Sequence, residues 1–164
     1  MIDLNIIIPC YNEEANVWPI AAAIELSLQD RELLDRIGAG FEYRLVFVDN
    51  CSIDTTWERI LKLSAINPRI NGIRNASNYG QLLSPFKALC KSDARMSIAI
   101  CADFEDPPNL IPSLIKAHLD TAADVVAAVR EGDAESPGRQ LARRIGYKLM
   151  NRVADTKSIN GFHG

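Results

Sequence analysis

Long apolar runs are missing from this 164-residue chain. The most hydrophobic stretches, Ile20–Ile24 and Val125–Val129, fall well short of the about 20 residues a membrane-spanning helix needs. Met1-Ile2-Asp3-Leu4-Asn5 has neither the basic start nor the small-residue cleavage site of a secretory leader. Histidine is scarce: His118 and His163 alone exclude a His-rich metal site. A Ser-His-Asp triad finds no support, because no GxSxG elbow is present. Cys10, Cys51, Cys90 and Cys101 are widely spaced and form no CxxC, which argues against a zinc knuckle. A reduced, cytosolic setting is the expectation. GxGxxG and GxxxxGK[ST] are absent too, so neither a dinucleotide fingerprint nor a Walker loop is available.

What is present is ordinary for a folded domain: 48% hydrophobic, 24% charged, 7% aromatic, enough for one core without staples. The net charge of −3 is unevenly distributed. Residues 1–136 hold 12 Lys/Arg against 20 Asp/Glu; residues 137–164 hold six against one. Such a basic final segment on an acidic body suits phosphate or an anionic membrane surface. Nothing points to nucleic acid.

Hydrophobic periodicity alternates between two types. Short Ile/Val-rich runs at Leu4–Pro9, Tyr43–Val48, Ile70–Arg74, Met96–Cys101 and Asp124–Arg130 read as buried strands. Between them lie helical patterns. Val17, Ile20, Ile24 and Leu28 recur on one face of a helix expected to begin near Asn16, with Pro19 in its first turn, and to end at Gly38 and Gly40. Ser52-Ile53-Asp54-Thr55 caps a second helix carrying Trp57, Ile60, Leu61 and Leu63, Asp54 being read as its cap. Further helices are expected over Gln81–Lys91, Asn109–Leu119 and Arg139–Val153. The last places Arg139, Arg143, Arg144, Lys148 and Arg152 beside a Leu141/Ile145/Leu149 face. Alternation of this kind implies βαβ units and an open parallel α/β sheet with helices on both faces. The ending, Ser158–Gly164, is neither a helix stop nor a strand and reads as a domain cut short.

In such a sheet a ligand sits beyond the carboxyl ends of the strands. Strand one delivers Pro9-Cys10-Tyr11-Asn12-Glu13 there, and strand two Asp49-Asn50-Cys51-Ser52-Ile53-Asp54. Strand four delivers Asp103, Glu105 and Asp106, and strand five Arg130. Carboxylates repel a bare phosphate but hold a diphosphate well through Mg²⁺ or Mn²⁺. Tyr11 offers a flat face to a base, and Asp49 or Asn50 can bond base or ribose. A nucleoside diphosphate carrying a further group is the natural occupant.

These residues form motifs. Ile6-Ile7-Ile8-Pro9-Cys10-Tyr11-Asn12-Glu13-Glu14 resembles the opening of the family-2 glycosyltransferases, which have the GT-A (Rossmann-like) fold. Val46-Phe47-Val48-Asp49-Asn50-Cys51-Ser52-Ile53-Asp54 is similar to their VDDGSxD motif, and Asn78-Tyr79-Gly80-Gln81 to their N-x-G turn. Ala102-Asp103-Phe104-Glu105-Asp106-Pro107-Pro108 resembles the (D)ADLQDPP motif of the branch that includes dolichyl-phosphate mannose synthases. The four occur in order over nearly the whole chain.

The resemblance implies one GT-A domain over 1–164, incomplete at its C-terminus. Residues 1–101 would be a nucleotide-binding half and 102–164 the metal motif and start of an acceptor half. It implies an inverting transfer of sugar from a UDP- or GDP-linked donor to a polyprenyl phosphate or glycan precursor, at the inner face of a membrane. Pro9, Tyr11, Glu13, Asp49, Asn50 and Asp103 would bind the nucleotide. Asp103 and Glu105 would hold Mg²⁺ or Mn²⁺, and Arg130 and Arg143 would meet a phosphate. A general base, where a hydroxyl acceptor needs one, would lie beyond Gly164.

Two departures stand out. Cys101 replaces the first Asp of the family's DxD, and Asn50 the second Asp of VDD, a change read as bearing on base preference. Two rival readings follow. One is a sugar nucleotidyltransferase, which would need a Gly-rich basic loop after strand one, where Tyr11-Asn12-Glu13-Glu14 stands. The other is a binding module that has lost catalysis.

Overall fold

The computed structural model describes residues 2–129. The chain divides into two units, Met1–Val126 and Ala127–Gly164; the architecture below is that of the first. Arg130, Arg143 and the expected helix over 139–153 lie outside the described residues.

Four parallel strands, β1 (Leu4–Cys10), β2 (Tyr43–Asp49), β3 (Ile70–Arg74) and β4 (Met96–Ala99), form a sheet in the order β3-β2-β1-β4. The order follows from the connections. Helices α1 (Val17–Ser27), α2 (Arg31–Ile37) and α3 (Thr56–Ile66) carry the chain outward from β1 to β3. Helix α4 (Gly80–Cys90) then returns it past β2 to the far side of β1. Right-handed crossovers put α4 on the opposite face from α1 and α3.

Alternation in β1 divides the two layers. Leu4, Ile6, Ile8 and Cys10 join Ile20, Ile24, Leu45, Phe47, Ile60 and Ile70 in the principal core. Ile7 faces the other way, against Val48 and Ala88. Both faces of β1 are covered, which explains why it reads as an unbroken apolar run. Helix α4 packs small residues inward, with Ser84 and Ala88 buried, and leaves Leu82, Leu83 and Phe86 exposed.

Three expectations are corrected. The helix foreseen from Asn16 to Gly38 is two helices: α1 stops at Ser27, and Asp30 Oδ1 accepts a 2.8 Å bond from Leu33 N to cap α2. Asp30 is the kind of residue that restarts a helix, and periodicity alone passes over it. The helix over Asn109–Leu119 is a 3-10 turn at Pro108–Leu110 followed by α5 (Ile111–Thr121). No strand forms within 124–129; Val125 is 82% exposed, without the burial that makes an apolar run a sheet strand.

Gly72 marks the closest approach of β3 to α3. A Cβ there would lie 2.8 Å from Ile60 Cγ2 and 3.1 Å from the Trp57 ring, so any larger residue would force those side chains to shift.

Candidate functional site

Strand β1 has β2 on one side and β4 on the other, so its carboxyl end lies at the point where strand order reverses. That is where open α/β sheets bind ligands. Three exits meet there.

The loops after β1 and β2 are bonded together along their length. Asn50 N donates to Cys10 O at 2.8 Å, Asn12 N to Ser52 Oγ at 2.9 Å and Ile53 N to Asn12 Oδ1 at 3.0 Å. Glu13 N donates to Thr56 Oγ1 at 2.8 Å. Glu14 N donates to Asp54 Oδ2, while Glu14 Oε2 accepts from both N and Oγ1 of Thr55. Asn12 and Cys51 adopt left-handed backbone, φ 56° and 66°, and the cross-bonds hold these strained turns. The sequence offered the capping residues Asp54 and Thr55, but not the reciprocal pairing across 40 positions.

The bonds set the charge states. Hydrogen bonds from the Thr55 side chain and backbone hold the Glu14 carboxyl below its ordinary range. At Asp54 burial works to raise the pKa, and bonds from Thr56 and from Glu14 N bring it below normal on balance. Asp54 thus does serve the start of α3, accepting from Thr56 N and Oγ1.

The nucleotide-site expectations divide by accessibility. Tyr11 is 45% exposed, its ring open to a ligand, and Pro9 and Glu13 are half-buried beside it. Glu13 accepts from Asn16 Nδ2 at 2.7 Å. Asp49 is fully buried. Its Oδ1 accepts from Ser52 N at 3.0 Å, and its Oδ2 sits 3.2 Å from Arg74 Nε. Asn50, 5% exposed, has its amide engaged by the turn after β3. The two residues form the floor of the rim, below its accessible surface.

Arg74 was missed. It ends β3, contacts Asp49 and Ser52 O, and stacks over Trp57 at 5.6 Å. Its position was the available signal: a charged residue closing a strand, at the one exit omitted from the sequence reading.

After β4 the acidic loop is open. Ile100 N donates to Ile7 O at 3.0 Å, extending the pairing to β1. Asp103 Oδ1 accepts from Glu105 N at 2.9 Å, and Asp106 Oδ2 from Cys101 N at 3.4 Å, around a left-handed Phe104. Asp106 thereby closes this turn. Asp103, Glu105 and Asp106 are exposed. Burial, and then the charges of Asp106, Asp103 and Glu105, push the Cys101 thiol up to about 12. Burial, with Glu13 and Asp49, raises Cys10 further. Cys101 stays a neutral thiol and brings no charge in place of the carboxylate it replaces. Among the described residues no three His, Cys, Asp or Glu side chains gather into a metal-holding group. The donor set, hard oxygens of Asp103 and Glu105, fits a Mg²⁺ or Mn²⁺ ion that takes most of its shell from phosphate and water. It does not fit an ion caged by protein.

Comparison with known proteins settles the kinship. Residues 5–164 match the model of Glycosyl transferase family 2. The chain belongs to this family. A dolichol-phosphate mannosyltransferase of Pyrococcus furiosus is 29% identical over 97% of the chain and 45% of its own length. An uncharacterized glycosyltransferase of Synechocystis is 26% identical over 95% of the chain and 46% of its own. The chain therefore spans about half the length of these curated relatives. Among solved structures, S. aureus TarS 1-349 superposes with a TM-score of 0.58 at 19% identity, over 82% of this chain and 37% of its own. The mannosyltransferase PcManGT of Pyrobaculum calidifontis, solved with GDP-Man and Mn²⁺, gives 0.51 at 18% identity over 77% and 35%. These likenesses bear out the GT-A fold read from the motifs.

Proposed function

We propose that this family-2 chain is the donor-binding part of an inverting glycosyltransferase that takes a UDP- or GDP-sugar. The observation that carries the reading is the interlocked exits of β1 and β2 beside an open acidic loop after β4, all at the switch point of the sheet. Relatives with a dolichol-phosphate mannosyltransferase name and a structure with GDP-Man and Mn²⁺ support the same class.

In this reading Tyr11 stacks on the base, Pro9 and Glu13 line the ribose side, and Asp49 and Asn50 fix the loops from beneath. Asp103 and Glu105 would hold the divalent ion, which when bound neutralises charge growing on the leaving diphosphate. An acceptor oxygen forms a bond to the anomeric carbon as the carbon–diphosphate oxygen bond breaks, with inversion. A polyprenyl phosphate is already ionised and needs no base; a glycan hydroxyl does need one. Arg130 and Arg143 are proposed to meet a phosphate, and the basic segment after residue 136 the anionic inner face of a membrane. No helix among the described residues is long and apolar enough to cross a membrane.

Cys101 gives specific support to a second reading, a nucleotide-sugar-binding module without catalysis, because it removes one carboxylate from the metal motif. Thermal-shift screening against UDP- and GDP-sugars, with and without Mn²⁺, decides, since a selective ligand stabilises the native state by mass action. Stabilisation that needs Mn²⁺ supports the enzyme. Metal-independent stabilisation favours the module, and none overturns both.

A further inference from the structure

Asn50 departs from the family's VDD, and its surroundings give the departure a meaning. Its amide makes four contacts. Oδ1 accepts from Tyr79 N at 3.0 Å and Asn75 Nδ2 at 3.1 Å; Nδ2 donates to Asn78 Oδ1 at 2.7 Å and Gly80 O at 3.4 Å. Tyr79 N and Gly80 O are backbone groups, one a donor and one an acceptor, so neither can exchange roles. Residue 50 must therefore present both an acceptor and a donor. Among residues of this size asparagine does so, whereas an ionised aspartate has no donor.

The partners are fixed as well. Asn78 Oδ1 also accepts from Gly80 N at 2.8 Å, so turning its amide over would forfeit that bond. Asn75 Nδ2 also donates to Ser84 Oγ at 2.9 Å, tying the cluster to α4. Asn50 and Ser84 are 5% and 1% exposed, and buried polar networks of this kind penalise any unmatched member. An aspartate at 50 would set a carboxylate oxygen against Asn78 Oδ1.

We infer that Asn50 is a positioning residue: its amide clasps the Asn78-Tyr79-Gly80 turn against the exits of β1 and β2, and it acts on the donor through that turn instead of reading the base. The inference rests on the donor-site reading for its second half only. The clasp itself is independent of any ligand. On this account the replacement of Asp by Asn at 50 concerns loop architecture, with Asn75 and Asn78 as its matched partners, and not base preference.

Amide hydrogen exchange of the intact chain, with no nucleotide present, tests the clasp. Asn50→Asp should speed exchange at the Gly80 amide by about tenfold, with β1 protection unchanged. Asn78→Asp keeps the acceptor that both Asn50 Nδ2 and Gly80 N use, and should leave Gly80 as in the wild type. Asn78 is exposed, so Asn78→Ala provides a variant that folds even where Asn50→Asp does not. It removes the Gly80 acceptor directly, so its readout is the Tyr79 amide bonded to Asn50 Oδ1, which should exchange about tenfold faster. Equal exchange at Tyr79 in wild type and Asn78→Ala, or equal effects of Asn50→Asp and Asn78→Asp at Gly80, overturns the clasp.

Calorimetry with UDP and with GDP, each with Mn²⁺, tests the second half. Asn50→Asp and Asn78→Ala should weaken whichever nucleotide binds by about tenfold, and Asn78→Asp should not. Unchanged affinity with a released Gly80 overturns the positioning role. A wild-type chain that binds neither nucleotide overturns the donor site and leaves the exchange result to decide the clasp.

Discussion

Arg74 Nε lies 3.2 Å from Asp49 Oδ2, a half-exposed guanidinium against a carboxylate with no solvent access. The approach is that of an ion pair without an aligned hydrogen bond, since Oδ2 has no hydrogen-bond partner among the described residues. The Arg74 charge is therefore the main compensation at that oxygen. Removing one partner of a buried pair leaves the other uncompensated. Because Arg74 is 44% exposed, screening reduces the effect. Arg74→Met is expected to lower unfolding free energy by about 1–3 kcal/mol in urea titrations. A loss below about 0.5 kcal/mol would show that water or Ser52 suffices for Asp49.

A second expectation concerns the edge strand. Gly72→Ala puts a methyl group 2.8 Å from Ile60 Cγ2, and overpacking of this kind costs about 1–3 kcal/mol. Ile60→Ala vacates that space, so the double variant should lose less than the sum of the two single changes. Strict additivity in the double-mutant cycle would refute the contact.

Acid should loosen the joined loops. The carboxyls of Glu14, Asp54, Asp93 and Asp120 all lie below their ordinary values in the folded chain. A lowered folded pKa means the stabilisation is present above the unfolded value and is lost as pH falls through the folded one. The loss should thus begin below about pH 4.5, the ordinary glutamate value, and continue past 3.8, that of aspartate. Glu14→Gln keeps an acceptor for Thr55 but removes the titration. Melting temperatures between pH 3 and 6 should accordingly fall less steeply in that variant, about as measured by its reduced proton uptake; a slope equal to the wild type would remove Glu14 from the acid transition.

The acidic loop after β4 gives a paired test. Cys101→Asp adds a carboxylate at a half-buried position beside Asp103 and Glu105 and should strengthen Mn²⁺-dependent nucleotide binding, by about tenfold for one added hard ligand. Asp103→Asn should remove most of the metal-dependent part. Calorimetry at fixed nucleotide and varied Mn²⁺ reads both. Identical metal dependence in wild type and Asp103→Asn would take Asp103 out of the ion's shell.

Much of this fold is legible in local pattern. Four strands fall where Ile/Val-rich runs stand between polar turns, and β1 in particular needs no more than its own composition. The misreadings have separate causes. Val125–Val129 has strand-like composition, yet 124–129 pair with no strand, and pairing is not a local property. The break between α1 and α2 depends on one capping aspartate inside a helical period. At the site, the accessible residues Tyr11, Asp103 and Glu105 are recognisable by type and by their place after a strand. The buried positions of Asp49 and Asn50 are not, because burial there arises from β3 and α4, which reach the same rim from residues 74–84. Arg74 could be reached by extending the same rule to every strand.

The bonded loops after β1 and β2 also bear on motion. Bonds from Asn12, Glu13 and Glu14 to Ser52, Ile53, Asp54, Thr55 and Thr56 join the two segments into one hydrogen-bonded unit, so a displacement of either should carry the other with it. The rim thus keeps a preset wall on the tyrosine side.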